Sequence, residues 1–161
     1  MSEAVSSLII RFVDQVLNGP SPEAIDELFH PGFKDHDPLS GIGVGGVAEL
    51  RVLVAFLALP TTDIRFTLET VFEVDQQGAY RLFGEGSGQM EEFSKLVAVR
   101  PATPLEGSPF TSLRRGPAEM NPPLRPPPGV FHYEYSGTGI FAARDGRFTD
   151  RWGRAVLLAH Q

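Results

Sequence analysis

The stretch Gly137 to Trp152, GTGIFAARDGRFTDRW, constrains this chain more than any other segment. Apolar and polar residues alternate on both sides of Asp145-Gly146, and Asp-Gly between two alternating runs is the signature of a β-hairpin turn. The same period of two appears earlier. Ile64, Phe66, Leu68, Thr70, Phe72 and Val74 alternate with Asp63, Arg65, Thr67, Glu69 and Glu73, which predicts one long half-buried antiparallel strand. Asp75-Gln76-Gln77-Gly78 then turns the chain into a partner strand over 79–87. Residues 130–143 and 147–158 supply the last two strands.

The front of the chain follows a different period. Val5, Leu8, Ile9, Phe12, Val13, Val16 and Leu17 recur at helical spacing, predicting a helix over 3–18 that Asn18-Gly19-Pro20 ends. Ser21 and Pro22 form an N-cap and first-turn pair for a second, short helix carrying Ile25, Leu28 and Phe29. Pro31-Gly32 breaks it, and Phe33 to Asp37 runs extended into Pro38. After a loose link at Gly41, Gly43, Gly45 and Gly46, a third helix places Val47, Leu50, Leu53, Val54 and Leu57 on one face. Three helices followed by an antiparallel meander describe an α+β domain, with the helices closing the concave side of a curved sheet.

Size and charge narrow the class. The 161 residues suffice for one domain, 1–161, with a single core. A net charge of -6 argues against nucleic acid as a partner, because phosphate binding needs clustered Lys and Arg. Without cysteine there is no disulfide, thiolate nucleophile or cysteine metal site. Four histidines lack metal-ligand spacing, so no metal is expected. The start carries no basic, apolar leader, and the apolar run Val52 to Leu59 is too short to span a bilayer. The expectation is a cytoplasmic protein with no membrane contact. Nine of the 14 prolines fall between Pro101 and Pro128, which makes 89–129 a Pro-rich insertion hostile to helix and ladder alike. It reads either as a surface loop or as a lid or arm.

The hairpin ending at Trp152, together with FHPGFKDHDP at Phe29 to Pro38, resembles the SnoaL-like polyketide cyclases of the NTF2-like superfamily. The resemblance covers roughly 3–88 and 129–156. It implies a cone-shaped fold with a ligand pocket, no cofactor, a small hydrophobic or aromatic substrate, and a homodimer. In that family the last strand carries an acid, a Trp two residues on and an Asp four residues after the Trp. Asp150 and Trp152 match, while the third position is Val156. A second departure is Gly84-Glu85-Gly86-Ser87-Gly88, where the family has Gly-Thr-His-x-Gly.

The candidate catalytic residues are Asp37, His36 and Asp150. Asp37 before Pro38 resembles the general base of ketosteroid isomerase, a member of the same superfamily; otherwise it is a turn residue bonded to local backbone. His36 shuttles protons or is structural. Alternation puts Asp150, Trp152, Arg154 and Val156 on one strand face, which this reading turns inward. There Asp150 acts as a second acid or base, or pairs with Arg81 or Arg154. Trp152 walls the pocket or fills the core. Glu85, Arg81, His132 and Arg154 complete the candidate substrate-binding set. His132 and Glu134 share one face of their strand and Phe131, Tyr133 and Tyr135 the other, with the inward face undecided. The leading functional expectation is a cofactor-independent cyclase or isomerase of secondary metabolism acting on a polyketide-like or polycyclic carbonyl compound. The alternatives are a non-catalytic domain binding a small hydrophobic ligand, and a cofactor-free oxygenase.

Overall fold

The computed structural model describes residues 3–38, 43–89, 91–92 and 129–160. Nearly all of the proposed insertion over 89–129 lies outside the described residues. Strands β2 (Asp63–Val74), β3 (Gln77–Gln89), β4 (Val130–Arg144) and β5 (Arg147–His160) form the expected antiparallel meander. The β4–β5 turn is Asp145-Gly146, with φ of 53° and 76°, the mirror-type turn that suits the twist of two paired strands. Strand β1 (Phe29–Asp35) is an addition to the meander. It pairs parallel with β5, so the sheet is mixed and ordered β1-β5-β4-β3-β2.

The helices pack on one face of this sheet. Helix α1 (Val5–Phe12) widens into a π-helical turn, Val13–Leu17, where the Asn18 N–H reaches back to the Val13 carbonyl at 2.9 Å. In α2 (Pro22–Leu28) the Ser21 hydroxyl accepts from the Ala24 N–H, as its capping position requires. Helix α3 (Val47–Leu57) starts where the Glu49 carboxylate accepts from the Gly46 N–H at 2.7 Å. The core joins Leu8, Ile9 and Phe12 of α1 to Ile25 and Leu28 of α2 and to Phe29, Phe141 and Phe148 of the sheet. Its aromatic centre is the stack of Phe141 on Phe148, 4.2 Å between ring centroids. Among the described residues no helix is long and apolar enough to cross a membrane.

Two β-bulges decide which side chains face the helices. In β2, Leu68 pairs with Leu82 and Thr70 with Arg81, so Glu69 is an extra residue. In β5, Phe148 pairs with Ala143 and Asp150 with Ala142, so Thr149 is extra. Each extra residue reverses the inward and outward faces beyond it. Ile64, Phe66 and Leu68 point to the core, but past the bulge Val71 takes over that role. Phe72 and Val74, read as part of the same buried face, are instead exposed (60% and 67%).

Candidate active site

Between the helices and the sheet lies a cavity of about 180 Å³. Its walls are mostly apolar, with rings at Phe12, Phe33, Phe56, Phe66 and Phe141 among leucines and Ile64. The aromatic face of β4 is the inward one: Phe131 and Tyr133 are buried, and Tyr133 and Tyr135 line the cavity. His132, on the opposite face, is exposed. The polar residues lining the cavity are Asp35 of β1, Asp37 just beyond it, Tyr80 of β3, Tyr133 and Tyr135 of β4, and Arg151 of β5.

Asp35 and Asp37 reach the cavity because alternation continues past the end of β1. Asp35 exchanges backbone hydrogen bonds with Gly45, and the His36 N–H donates to the Arg151 carbonyl at 2.8 Å, which prolongs the pairing with β5. Residues 35 and 37 therefore face inward and 36 outward. The Asp37 carboxylate accepts at Oδ2 from the Gly153 N–H at 2.9 Å, and its own N–H donates to Asp35 Oδ1. The local turn role considered for Asp37 belongs to the Asp35 side chain. Asp37 spans to β5 instead.

Arg151 is the hub of the polar end. Its Nη1 donates to Asp35 Oδ1 at 2.9 Å, Asp35 Oδ2 at 3.1 Å and the Asp37 carbonyl at 3.1 Å. Its Nε donates to the Tyr80 hydroxyl at 2.8 Å. Burial works against the guanidinium charge, yet Tyr80, Asp35 and Tyr135 outweigh it and hold Arg151 more firmly protonated than usual. Burial pushes the Tyr80 hydroxyl up against the opposing pull of Arg151, and pushes Tyr135 up to about 12. Both phenols are neutral near pH 7. Each ring lies against a glycine. A Cβ on Gly139, the cross-strand partner of Tyr80, would fall 2.6 Å from the Tyr80 oxygen, and one on Gly137 would collide with the Tyr135 ring.

The remaining sequence candidates lie elsewhere. The Thr149 bulge puts Asp150, Trp152, Arg154 and Val156 on the outer face, the reverse of the inward orientation expected from alternation. Trp152 and Val156 are 40% and 61% exposed, and neither lines the cavity. His36 joins them outside: its Nε2 and Asp150 Oδ1 are 2.9 Å apart, and its ring stacks on Trp152 at 4.7 Å. Asp150 thus pairs with His36, and not with Arg81 or Arg154 as the sequence suggests. Arg81 pairs with Glu69 at 2.8 Å, and Arg81, Glu85 and Arg154 are exposed. The inward positions of β5 after the bulge are Arg151, Gly153, Ala155 and Leu157, none of them a carboxylate. Sequence reading missed Arg151, Tyr80 and Asp35, and left Tyr135 on a strand face of undecided direction. For Tyr135 the signal available was Gly137 two residues on, which leaves room for a flat ring on the same face; the Tyr80–Gly139 pairing depends on the partner strand.

Helices seated in the hollow of a bent sheet, with an aromatic cavity between them, define an NTF2-like protein. The SnoaL-like domain family model matches residues 9–151, and the chain belongs to that family. Solved structures agree on the fold. IdmH of Streptomyces antibioticus, a candidate polyketide cyclase, shares 16% identity at a TM-score of 0.61, covering 95% of this chain and 92% of its own. TsrD of Streptomyces laurentii shares 18% at 0.56, covering 96% and 91%. A candidate polyketide cyclase from Acidithiobacillus ferrooxidans shares 18% at 0.52, with the same coverage. No curated protein matches the chain.

Proposed function

We propose that this protein is a cofactor-independent enzyme of secondary metabolism that moves a proton at a carbon next to a carbonyl, driving cyclisation or isomerisation. The observation that carries this reading is the Asp37 carboxylate, held by the Gly153 N–H in the wall of an aromatic cavity. In the proposed step Asp37 Oδ1 takes the α-proton. The C–H electron pair becomes the C=C bond, and the carbonyl π pair moves to oxygen to give an enolate. That enolate carbon then attacks a second carbonyl to close a ring, the carbonyl π pair moving to its oxygen and the resulting alkoxide taking the proton back from Asp37, or a remote carbon recovers the proton from Asp37 to complete an isomerisation. The cyclase descriptions of IdmH and the Acidithiobacillus ferrooxidans protein support this class.

This scheme does not require His36 or Asp150 as proton partners, since the two meet on the outer face. The non-catalytic binding alternative draws support from the lack of a carboxylate on the inward face of β5. The test uses a bicyclic ketone, 2-tetralone, in deuterated water, with deuterium incorporation at the α-carbon followed by NMR. The wild-type protein accelerates exchange, and Asp37→Asn reduces that acceleration by about 10²- to 10⁴-fold. Equal rates in the two proteins overturn the assignment of Asp37, and no acceleration by wild type favours the binding domain.

The implied homodimer has a face suited to a second copy. On the outer sheet surface Arg81 and Arg154 share one cross-strand row, Phe83 and Val156 the next, and Glu85 and Glu134 the third. A two-fold axis through the middle row lays the basic row of each copy on the acidic row of the other, around exposed Val156 and Leu158. Light scattering on wild type and Val156→Lys tests this. A dimer that the variant converts to monomer supports it, and a wild-type monomer or an undisturbed dimer refutes it.

A further inference from the structure

We infer that Tyr80, Tyr135 and Arg151 form the oxyanion pole of the cavity, the place where a ligand's carbonyl or phenolic oxygen rests and gathers negative charge. This inference rests on the proposed function and gives it a substrate class: a planar ring compound with one ring within the cavity and an enolisable carbonyl or phenol at its inner end.

Three observations converge on it. First, the donors are arranged as a relay. The Tyr80 hydroxyl accepts from Arg151 Nε at 2.8 Å, so its own hydrogen is directed elsewhere, and accepting from a cation makes a hydroxyl a stronger donor. Tyr135 lies close enough to Arg151 to feel its charge. Both tyrosines line the cavity, and burial keeps both hydroxyls protonated and able to donate at neutral pH.

Second, the donors are fixed before any ligand arrives. Asp35 holds Arg151 through both carboxylate oxygens, and Gly139 and Gly137 let the two rings lie close to the sheet. Donors that need not reorganise are the ones that stabilise developing negative charge. Asp37 borders the same polar end, so a carbon beside an oxygen bound there is presented to the base. The electron pair released at that carbon ends on the bound oxygen, and the proton ends on Asp37.

Third, the space is limited. A cavity of about 150 Å³ accommodates one benzene ring, and this one measures about 180 Å³. One ring therefore takes up most of the space, and any further ring projects out of the cavity.

The test is binding of 4-nitrophenol, whose neutral and ionised forms differ in visible absorbance, to the full chain. Wild type binds the phenolate. Tyr135→Phe and Tyr80→Phe each weaken it by about tenfold or more, the loss of one hydrogen bond to a charged group. Both variants keep the ring, and so the fold. Trp152→Phe, on the outer face, leaves binding unchanged. Equal phenolate affinity in wild type and both Phe variants, or no binding by wild type, overturns the pole. If that happens while Asp37→Asn still abolishes tetralone exchange, the proposed function stands without it. If the Phe variants lose phenolate while Asp37→Asn exchanges like wild type, the pole stands and the proposed function falls.

Discussion

The imidazole of His36 lies parallel to the indole of Trp152, with 4.7 Å between ring centroids and 1° between ring planes. The stack seals the outer seam between β1 and β5, while on the inner side of the same seam Arg151 grips Asp35. One strand pairing thus carries two polar clusters back to back, and the chemistry is assigned to the inner one.

The outer cluster has a signature in acid. Burial works against the Asp150 charge, but hydrogen bonds from His36 and Thr149 and the nearby cations prevail and hold its carboxyl below the usual range. A depressed carboxylate contributes stability that is present above its unfolded value and lost as pH falls through the folded one. Asp150→Asn is expected to cost about 0.5–1 kcal/mol at neutral pH, as for a half-exposed pair. The deficit relative to wild type is expected to vanish as pH drops below 3.8. Urea unfolding of both proteins at several pH values measures it, and a deficit that persists in acid contradicts the assignment.

Asn18 provides a second prediction. Its side-chain Nδ2 donates to the Phe66 carbonyl at 2.8 Å, and its Oδ1 accepts from the Phe66 N–H at the same distance. The side chain thus acts as one residue of an extra strand on the edge of β2, at the spot where the π-helical turn delivers it. Asn18→Ala removes both bonds and is expected to cost about 1–3 kcal/mol. Asn18→Asp keeps the acceptor but sets an anion against the Phe66 carbonyl, so it is expected to be no more stable than alanine. Denaturant midpoints decide this.

The tyrosines give a third. Tyr80, Tyr133 and Tyr135 are the only three in the chain, and burial raises all of them, Tyr135 to about 12. A raised folded value means the neutral form is favoured, so the associated stability is whole below the ordinary value of 10 and is lost as pH climbs from there towards 12. Tyrosinate absorbance at pH 10 is therefore expected to be weaker in the folded protein than in urea, where it is half-developed. Equal absorbance in both would place the phenols in water.

The helices, the two hairpin turns and the four meander strands were legible because each follows one period or one turn rule. Asp145-Gly146 and Ser21-Pro22 behave as local chemistry dictates. The faces beyond Glu69 and Thr149 were not legible. A bulge is a single extra residue that leaves alternation looking intact on either side, and only the partner strand reveals the shift. Reading straight through Thr149 turned Trp152 inward and hid Arg151, one residue away. Asp37 escaped that error because it lies on β1's extension. The parallel seat of β1 beside β5 was illegible for a related reason, since it depends on a partner more than 100 residues distant.

Gly139 separates the cavity's needs from those of the fold. A Cβ there would sit 2.6 Å from the Tyr80 hydroxyl, 2.7 Å from its ring and 2.8 Å from the Trp152 carbonyl, so neither side chain nor backbone can yield cheaply. Gly139→Ala is expected to cost about 1–3 kcal/mol by overpacking and to tilt Tyr80 away from Arg151. Gly146→Ala is the control: nothing lies within 4 Å of its Cβ, but φ is 76°, so it is expected to cost about 1–2 kcal/mol through backbone strain alone. The two variants should thus lose similar stability in urea, while only Gly139→Ala loses affinity for 4-nitrophenolate. Retained affinity in Gly139→Ala would mean that the seating of Tyr80 on this glycine does not govern what the cavity binds.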